Sequence, residues 1–197
     1  MMRYPCALAL SGLIFMLLGP TPGVGAGEPT EQLRSDIDEL YRSVNAPAAA
    51  PGQGGAPPRA IVDRMFDWSA MAESSLRGYW PERTPGERAE FTRLFSDLFA
   101  RAYLSRINLV DARTFQYLGD ITVGERGTVK TKVLTKRGSA IDVEYLVRAT
   151  PPARRWHVQD VRVEMISLVD NYRAQFDAII SRASYEELVK RLRAAVK

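Results

Sequence analysis

The sequence predicts an α+β fold: a curved antiparallel sheet of about four strands with helices packed on one face, whose apolar sides either press on the sheet or enclose an apolar cavity with it. Three observations predict it. From Glu28 to Ile107 the apolar residues recur at helical spacing. After Asp111 the period becomes two. Within WHVQDVRVEMISLVDNYRAQF at Trp156–Phe176 it returns to the helical spacing at Ile166–Ser167, so a strand runs directly into a helix. Helices first, then strands, then helices again are the pattern of α+β proteins.

Residues 1–26 read as a secretory signal peptide. Arg3 supplies a short positive region, and Ala7 to Leu18 is apolar apart from Ser11 and Gly12. Val24-Gly25-Ala26 suits a small-residue cleavage site. The apolar run is too short to span a bilayer comfortably. Cys6 precedes it, where a lipoprotein cysteine would follow it. The expected product is residues 27–197, one secreted domain without cysteine, and so without disulfide or thiol chemistry.

The whole chain has a formal net charge of +4. Loss of Arg3 leaves 26 basic against 23 acidic residues. The charges are interspersed, which argues against nucleic acid as a partner.

Glu28 to Val44 reads as the first helix, with Leu33, Ile37, Leu40, Tyr41 and Val44 on one face and Thr30 as its cap. Residues 45–58 hold four prolines and three glycines and read as a mobile loop within one domain. Two short helices are predicted over Arg59–Trp80. Asp67 is the N-cap of the second, and Gly78 the left-handed residue at its end. Thr84-Pro85-Gly86-Glu87 starts a long helix: cap, proline at the first position, glutamate at the third. That helix should reach about Ile107, with a wide stripe containing Phe91, Leu94, Phe95, Leu98, Phe99 and Tyr103.

Phe115 and Tyr117 begin the alternation, and Gly119 and Gly124 mark turns or bulges. Val129, Thr131, Val133 and Thr135 then alternate with Lys130 and Lys132. Ile141, Val143, Tyr145 and Val147 alternate with Asp142 and Glu144. Facing those lysines to those carboxylates gives cross-strand ion pairs on a wet face. Ser184 with Glu187 caps a last helix bearing Leu188, Val189, Leu192 and Val196.

Catalytic patterns are scarce. His157 is the one histidine. There is no phosphate-cradling glycine loop, no GxSxG and no HExxH. Asp160 and Glu164, four apart in an extended strand, would stand about 13 Å apart, too far for paired carboxylate chemistry. No enzyme, metal or cofactor is expected. The aromatic residues suit a ligand cavity and an ordinary core equally well.

Several landmarks resemble the MlaC family, the toluene-tolerance auxiliary proteins. FDWSAMA at Phe66–Ala72 is similar to the family's FDF-x-x-MA, with Trp68 for phenylalanine. Trp80 and TPGERAEF resemble W-x-x-x-TP-x-QR-x-EF, with Glu87 for glutamine. The Trp156–Phe176 stretch resembles W-K-V-Y-D-V-x-V-E-G-V-S-L-V-x-N-Y-R-x-Q-F, with Gln159 for tyrosine and Met165 for glycine. The resemblance covers about Arg59 to Leu192.

It implies a periplasmic phospholipid carrier that acts as a monomer without cofactor. Its partners would be an inner-membrane ABC transporter complex with its substrate-binding subunit and an outer-membrane lipoprotein/porin complex. The purpose would be outer-membrane lipid asymmetry. Carriage of another amphiphile such as a hopanoid, a non-enzymatic periplasmic adaptor, and an enzyme on a cystatin-like or NTF2-like fold remain alternatives. The lipid-binding candidates are Phe66, Met71, Leu76, Phe95, Leu98, Phe99, Tyr103, Phe115, Val133, Tyr145, Val147, Val163, Leu168, Tyr172 and Phe176, each with core packing as the competing role. Arg173 is expected to pair with Asp170, Asp177 or Glu164.

Overall fold

The computed structural model describes residues 27–45, 55–107, 115–135, 138–151 and 155–197. The signal-like residues 1–26 and most of the 45–58 loop lie outside them. The helices are α1 (Glu28–Asn45), α2 (Pro58–Met65), α3 (Trp68–Leu76), α4 (Pro85–Ile107), α5 (Leu168–Arg182) and α6 (Tyr185–Ala195). The strands are β1 (Gln116–Val123), β2 (Arg126–Leu134), β3 (Ala140–Thr150), β4 (Arg155–Val163) and β5 (Ile166–Ser167). They form one antiparallel sheet in chain order. The expected α+β architecture is therefore the observed one, with the two-residue β5 added to the four main strands.

Most predicted helix starts hold. Asp67 accepts from the Ala70 N–H at 3.0 Å. Thr84 and Glu87 form the reciprocal capping box: Thr84 N–H donates to Glu87 Oε2 at 2.8 Å, and Glu87 N–H to Thr84 Oγ1 at 3.3 Å. These bonds, with Thr84 first, hold the Glu87 carboxyl below the usual range. Ser184 caps α6 through the Glu187 N–H.

Two local readings are corrected. Thr30 lies inside α1, which begins at Glu28, and its hydroxyl donates to Asp120 of β1. The left-handed residue after α3 is Arg77, at φ +41°, rather than Gly78.

α1 is docked on the sheet by polar contacts. Gly27 N–H also donates to Asp120, at 2.7 Å. Gln32 bonds the backbone of Trp156 in both directions, at 2.6 and 2.9 Å. Arg155 meets both Asp36 oxygens at 2.8 Å.

Within the sheet, Lys130 pairs with Glu144 and Lys132 with Asp142, in register and in ionic contact on the outer face. The inner face carries the buried Val129, Thr131, Val133, Tyr145, Val158 and Val161. Bulges interrupt β1 at Tyr117–Gly119, where Gly119 has φ +105°, and the β3–β4 pair at Leu146–Val147. Such bulges increase bend and twist.

Helix α4 is the spine of the core. Phe91, Phe95 and Phe99 on it are buried and form one aromatic row. Phe176 meets Phe91 edge-on, and Tyr172 meets Phe95 in the same way.

Candidate functional site

A pocket of about 520 Å³ lies between the inner face of the sheet and helices α4, α5 and α6. That volume falls in the roughly 300–1,000 Å³ range of small-molecule sites. Its walls follow from the periodicities already described. α4 contributes Leu98, Ala102 and Arg106 at a four-residue spacing, with Phe99, Tyr103 and Ile107 beside them. The sheet contributes Val133, Ile141, Val143, Tyr145, Val161 and Val163 at alternate positions along three strands, with Phe115 just before β1. α5 adds Leu168, Asn171, Tyr172, Gln175, Phe176 and Ile179. α6 adds Leu188, Arg191, Leu192 and Ala195.

The polar groups of the lining are sorted by depth. Tyr103 and Tyr145 are buried. The Tyr103 and Tyr145 hydroxyls influence one another, and the Tyr103 hydroxyl has no hydrogen-bond partner among the described residues. Burial pushes the Tyr145 hydroxyl up to about 12 and raises Tyr103 well above its ordinary value. Arg106, Asn171, Gln175 and Arg191 are exposed and form the margin. Gln175 Nε2 donates to Asn171 Oδ1 at 2.7 Å. Among the described residues the lining holds no histidine, cysteine, serine, aspartate or glutamate.

Ten of the fifteen sequence candidates stand around this pocket: Leu98, Phe99, Tyr103, Phe115, Val133, Tyr145, Val163, Leu168, Tyr172 and Phe176. Five do not. Phe95 points into the aromatic row instead. Met71 and Leu76 are sealed in the core on α3. Phe66 bridges to Val158 and stacks on Trp68, so it fills the far end of the sheet. Val147 pairs with Gly127 on one side and Val158 on the other, at that same far end.

Among the pocket residues outside the candidate list, the apolar ones on the sheet and on α6 differ in how far the sequence marks them. Ile141, Val143 and Val161 share the inner face with Tyr145 and Val163, so period two contained them. Leu188, Leu192 and Ala195 carry no signal beyond ordinary amphipathicity. Only the placement of α6 against α4 brings them to the pocket.

The remaining chemical candidates are tied up structurally. Asp160 accepts from the Val161 and Val169 N–H groups. Glu164 accepts from Asp142 N–H. His157 bonds Thr150. Arg173 pairs with Asp170 and donates to the Ser74 carbonyl at 3.0 Å, outside the pocket wall. Among the described residues no group of side chains suits a metal ion, and no helix is long and apolar enough to cross a membrane.

The fold and pocket define a class: an α+β protein with an apolar recess between a curved sheet and a helical layer. The family model described as MlaC protein matches residues 37–194, and the chain belongs to that family. No protein of curated function matches the sequence. Among solved structures the chain is similar to the phospholipid-binding protein from Ralstonia solanacearum, determined in complex with a phospholipid. The TM-score is 0.67 at 18% identity, over 86% of this chain and 97% of that one.

Proposed function

We propose that this protein is a periplasmic phospholipid carrier. It holds acyl chains in the pocket between sheet and helices and moves lipid between outer- and inner-membrane complexes, so maintaining outer-membrane asymmetry. The observation that carries this reading is the pocket itself, apolar within apart from neutral tyrosine hydroxyls, with its described charged groups at the margin. Membership of the MlaC family and the phospholipid held by the structural relative support it.

The energetics favour a carrier. Roughly 30 methylenes in two acyl chains, at about 0.8 kcal/mol each, make free passage through water cost on the order of 20 kcal/mol. An apolar recess removes much of that barrier, and a headgroup left at the margin keeps its hydration. The described residues of the lining offer no nucleophile–base pair, which favours binding over catalysis.

The signal-like residues 1–26 support delivery to the periplasm, and a protein that carries one amphiphile at a time has no need of a second copy. An inner-membrane ABC transporter and an outer-membrane lipoprotein/porin complex are the partners this role requires.

Organic extraction of the purified protein followed by mass spectrometry tests the ligand. Stoichiometric phospholipid is the expected result. A triterpenoid would reassign the cargo, and an empty extract would reduce the protein to an adaptor.

A further inference from the structure

The margin of the pocket has a charge sign. Among the described residues lining the pocket, the ionised ones are Arg106 and Arg191, and none is acidic. Arg106, in the last turn of α4, has no carboxylate partner among the described residues. Arg191 gives its Nε to Glu187 Oε1 at 2.8 Å, which leaves its terminal nitrogens without a described acceptor. Glu187 lies outside the lining and also meets Lys190. The same lining carries the amides of Asn171 and Gln175, bonded to each other and exposed.

We propose that this margin selects amphiphiles whose headgroup carries net negative charge, through Arg106 and Arg191. The inference rests on the carrier reading and specifies its cargo. A phosphate without a compensating amine can take hydrogen bonds from both guanidinium forks, which match its oxygens two at a time. A zwitterionic headgroup presents the same phosphate together with an ammonium. That ammonium finds no carboxylate among the described lining residues and meets a margin whose described charges are like its own. The buried part of the pocket is blind to this difference, because its polar groups there are neutral hydroxyls. Discrimination therefore belongs to the margin, and because the margin is wet it is modest and screened by salt.

The test is a loading competition. The full-length mature protein, stripped of lipid and refolded, is incubated with vesicles of equal phosphatidylglycerol and phosphatidylethanolamine, re-isolated, and extracted for mass spectrometry. The expected result is enrichment of the anionic lipid over the vesicle ratio by about three- to tenfold, the scale two exposed ion pairs supply. The enrichment should shrink as salt is raised tenfold from about 50 mM.

The double variant R106Q/R191Q should return the bound ratio to that of the vesicles. Arg182→Gln, on α5 outside the lining, changes net charge in the same direction and should keep the enrichment. Loading at the vesicle ratio by the wild type, or retained enrichment in a folded double variant, would overturn the headgroup assignment while leaving the carrier reading intact. Failure of the wild type to load either lipid would overturn both.

Discussion

Asp160, in β4, reaches past the end of its own strand to accept the backbone N–H of Val169 at 3.1 Å, in the first turn of α5. The same oxygen accepts from Val161 at 2.8 Å. Between them the chain makes the Glu164–Met165 turn and the short β5, and Ser167 caps α5 through the Asp170 N–H. One carboxylate thus fixes the angle at which α5 leaves the sheet, and α5 is a wall of the pocket.

Asp160→Ala should therefore lower stability by about 1–3 kcal/mol, the usual cost of stranding partly buried donors. Asp160→Asn, which keeps an acceptor oxygen, should cost less. Urea unfolding of the three proteins measures the order. An unchanged midpoint in the alanine variant would show that the corner is held by packing alone.

Met165 offers a test of opposite sign. Glu164 and Met165 both have positive φ, +49° and +67°, as a tight two-residue hairpin turn requires. Met165 is 75% exposed, so its side chain contributes little packing. The left-handed conformation costs a non-glycine residue about 1–2 kcal/mol, and glycine gives back about 0.5–1 kcal/mol in unfolded-chain entropy. Met165→Gly should stabilise the protein by about 0.5–1 kcal/mol, visible as a raised melting temperature. A lowered one would mean that Met165 makes an interaction the turn geometry does not reveal.

Much of this corner was legible in the sequence, because its causes are local. The period change at Ile166–Ser167, the caps at Asp67, Thr84 and Ser184, and the facing of Lys130 and Lys132 to Glu144 and Asp142 each depend on residues a few positions apart or on one register. Thr30 looks like a cap from its neighbours alone, because its partner, Asp120, is 90 residues away.

The pocket was partly legible for the same reason. Tyr145 and Val163 share the inner face with Val147, but periodicity gives a face and not a position along it. Only Phe66, arriving at Val158, shows which end of the sheet is filled. Phe95 shares a helical stripe with Leu98 and Phe99. Its burial depends on where Phe91 and Phe176 pack, which no single segment records.

The buried tyrosines make alkaline pH a probe of the pocket. An unfolded tyrosine titrates near about 10. Burial raises Tyr145 to about 12 and holds Tyr103 well above its ordinary value, so both stay protonated in the folded protein after the unfolded chain has lost its protons. The unfolded state then binds fewer protons, and stability falls as pH rises. The contribution is intact below about pH 10 and lost progressively toward about pH 12. Tyr145→Phe should make that decline shallower, measured by denaturant midpoints across the window. An identical slope would mean that Tyr145 titrates as it does in water.

The division between pocket wall and core predicts two separable phenotypes. Ala102 faces the pocket from α4, where free space already exists. Ala102→Trp should occupy that space, lowering co-purified lipid severalfold while the fold and melting temperature stay near wild type. Phe95, one helical stripe away, is fully buried among Phe91, Phe99, Tyr172 and Phe176. Phe95→Ala leaves a cavity in that cluster and should cost about 3–5 kcal/mol of stability. Its pocket wall is formed by other residues, so lipid bound per folded molecule should change far less than in Ala102→Trp. Lipid content by mass spectrometry and stability by urea unfolding, measured on both variants, resolve the two effects. A folded Ala102→Trp protein with the full lipid complement would place the bound chains somewhere other than the pocket between α4 and the sheet.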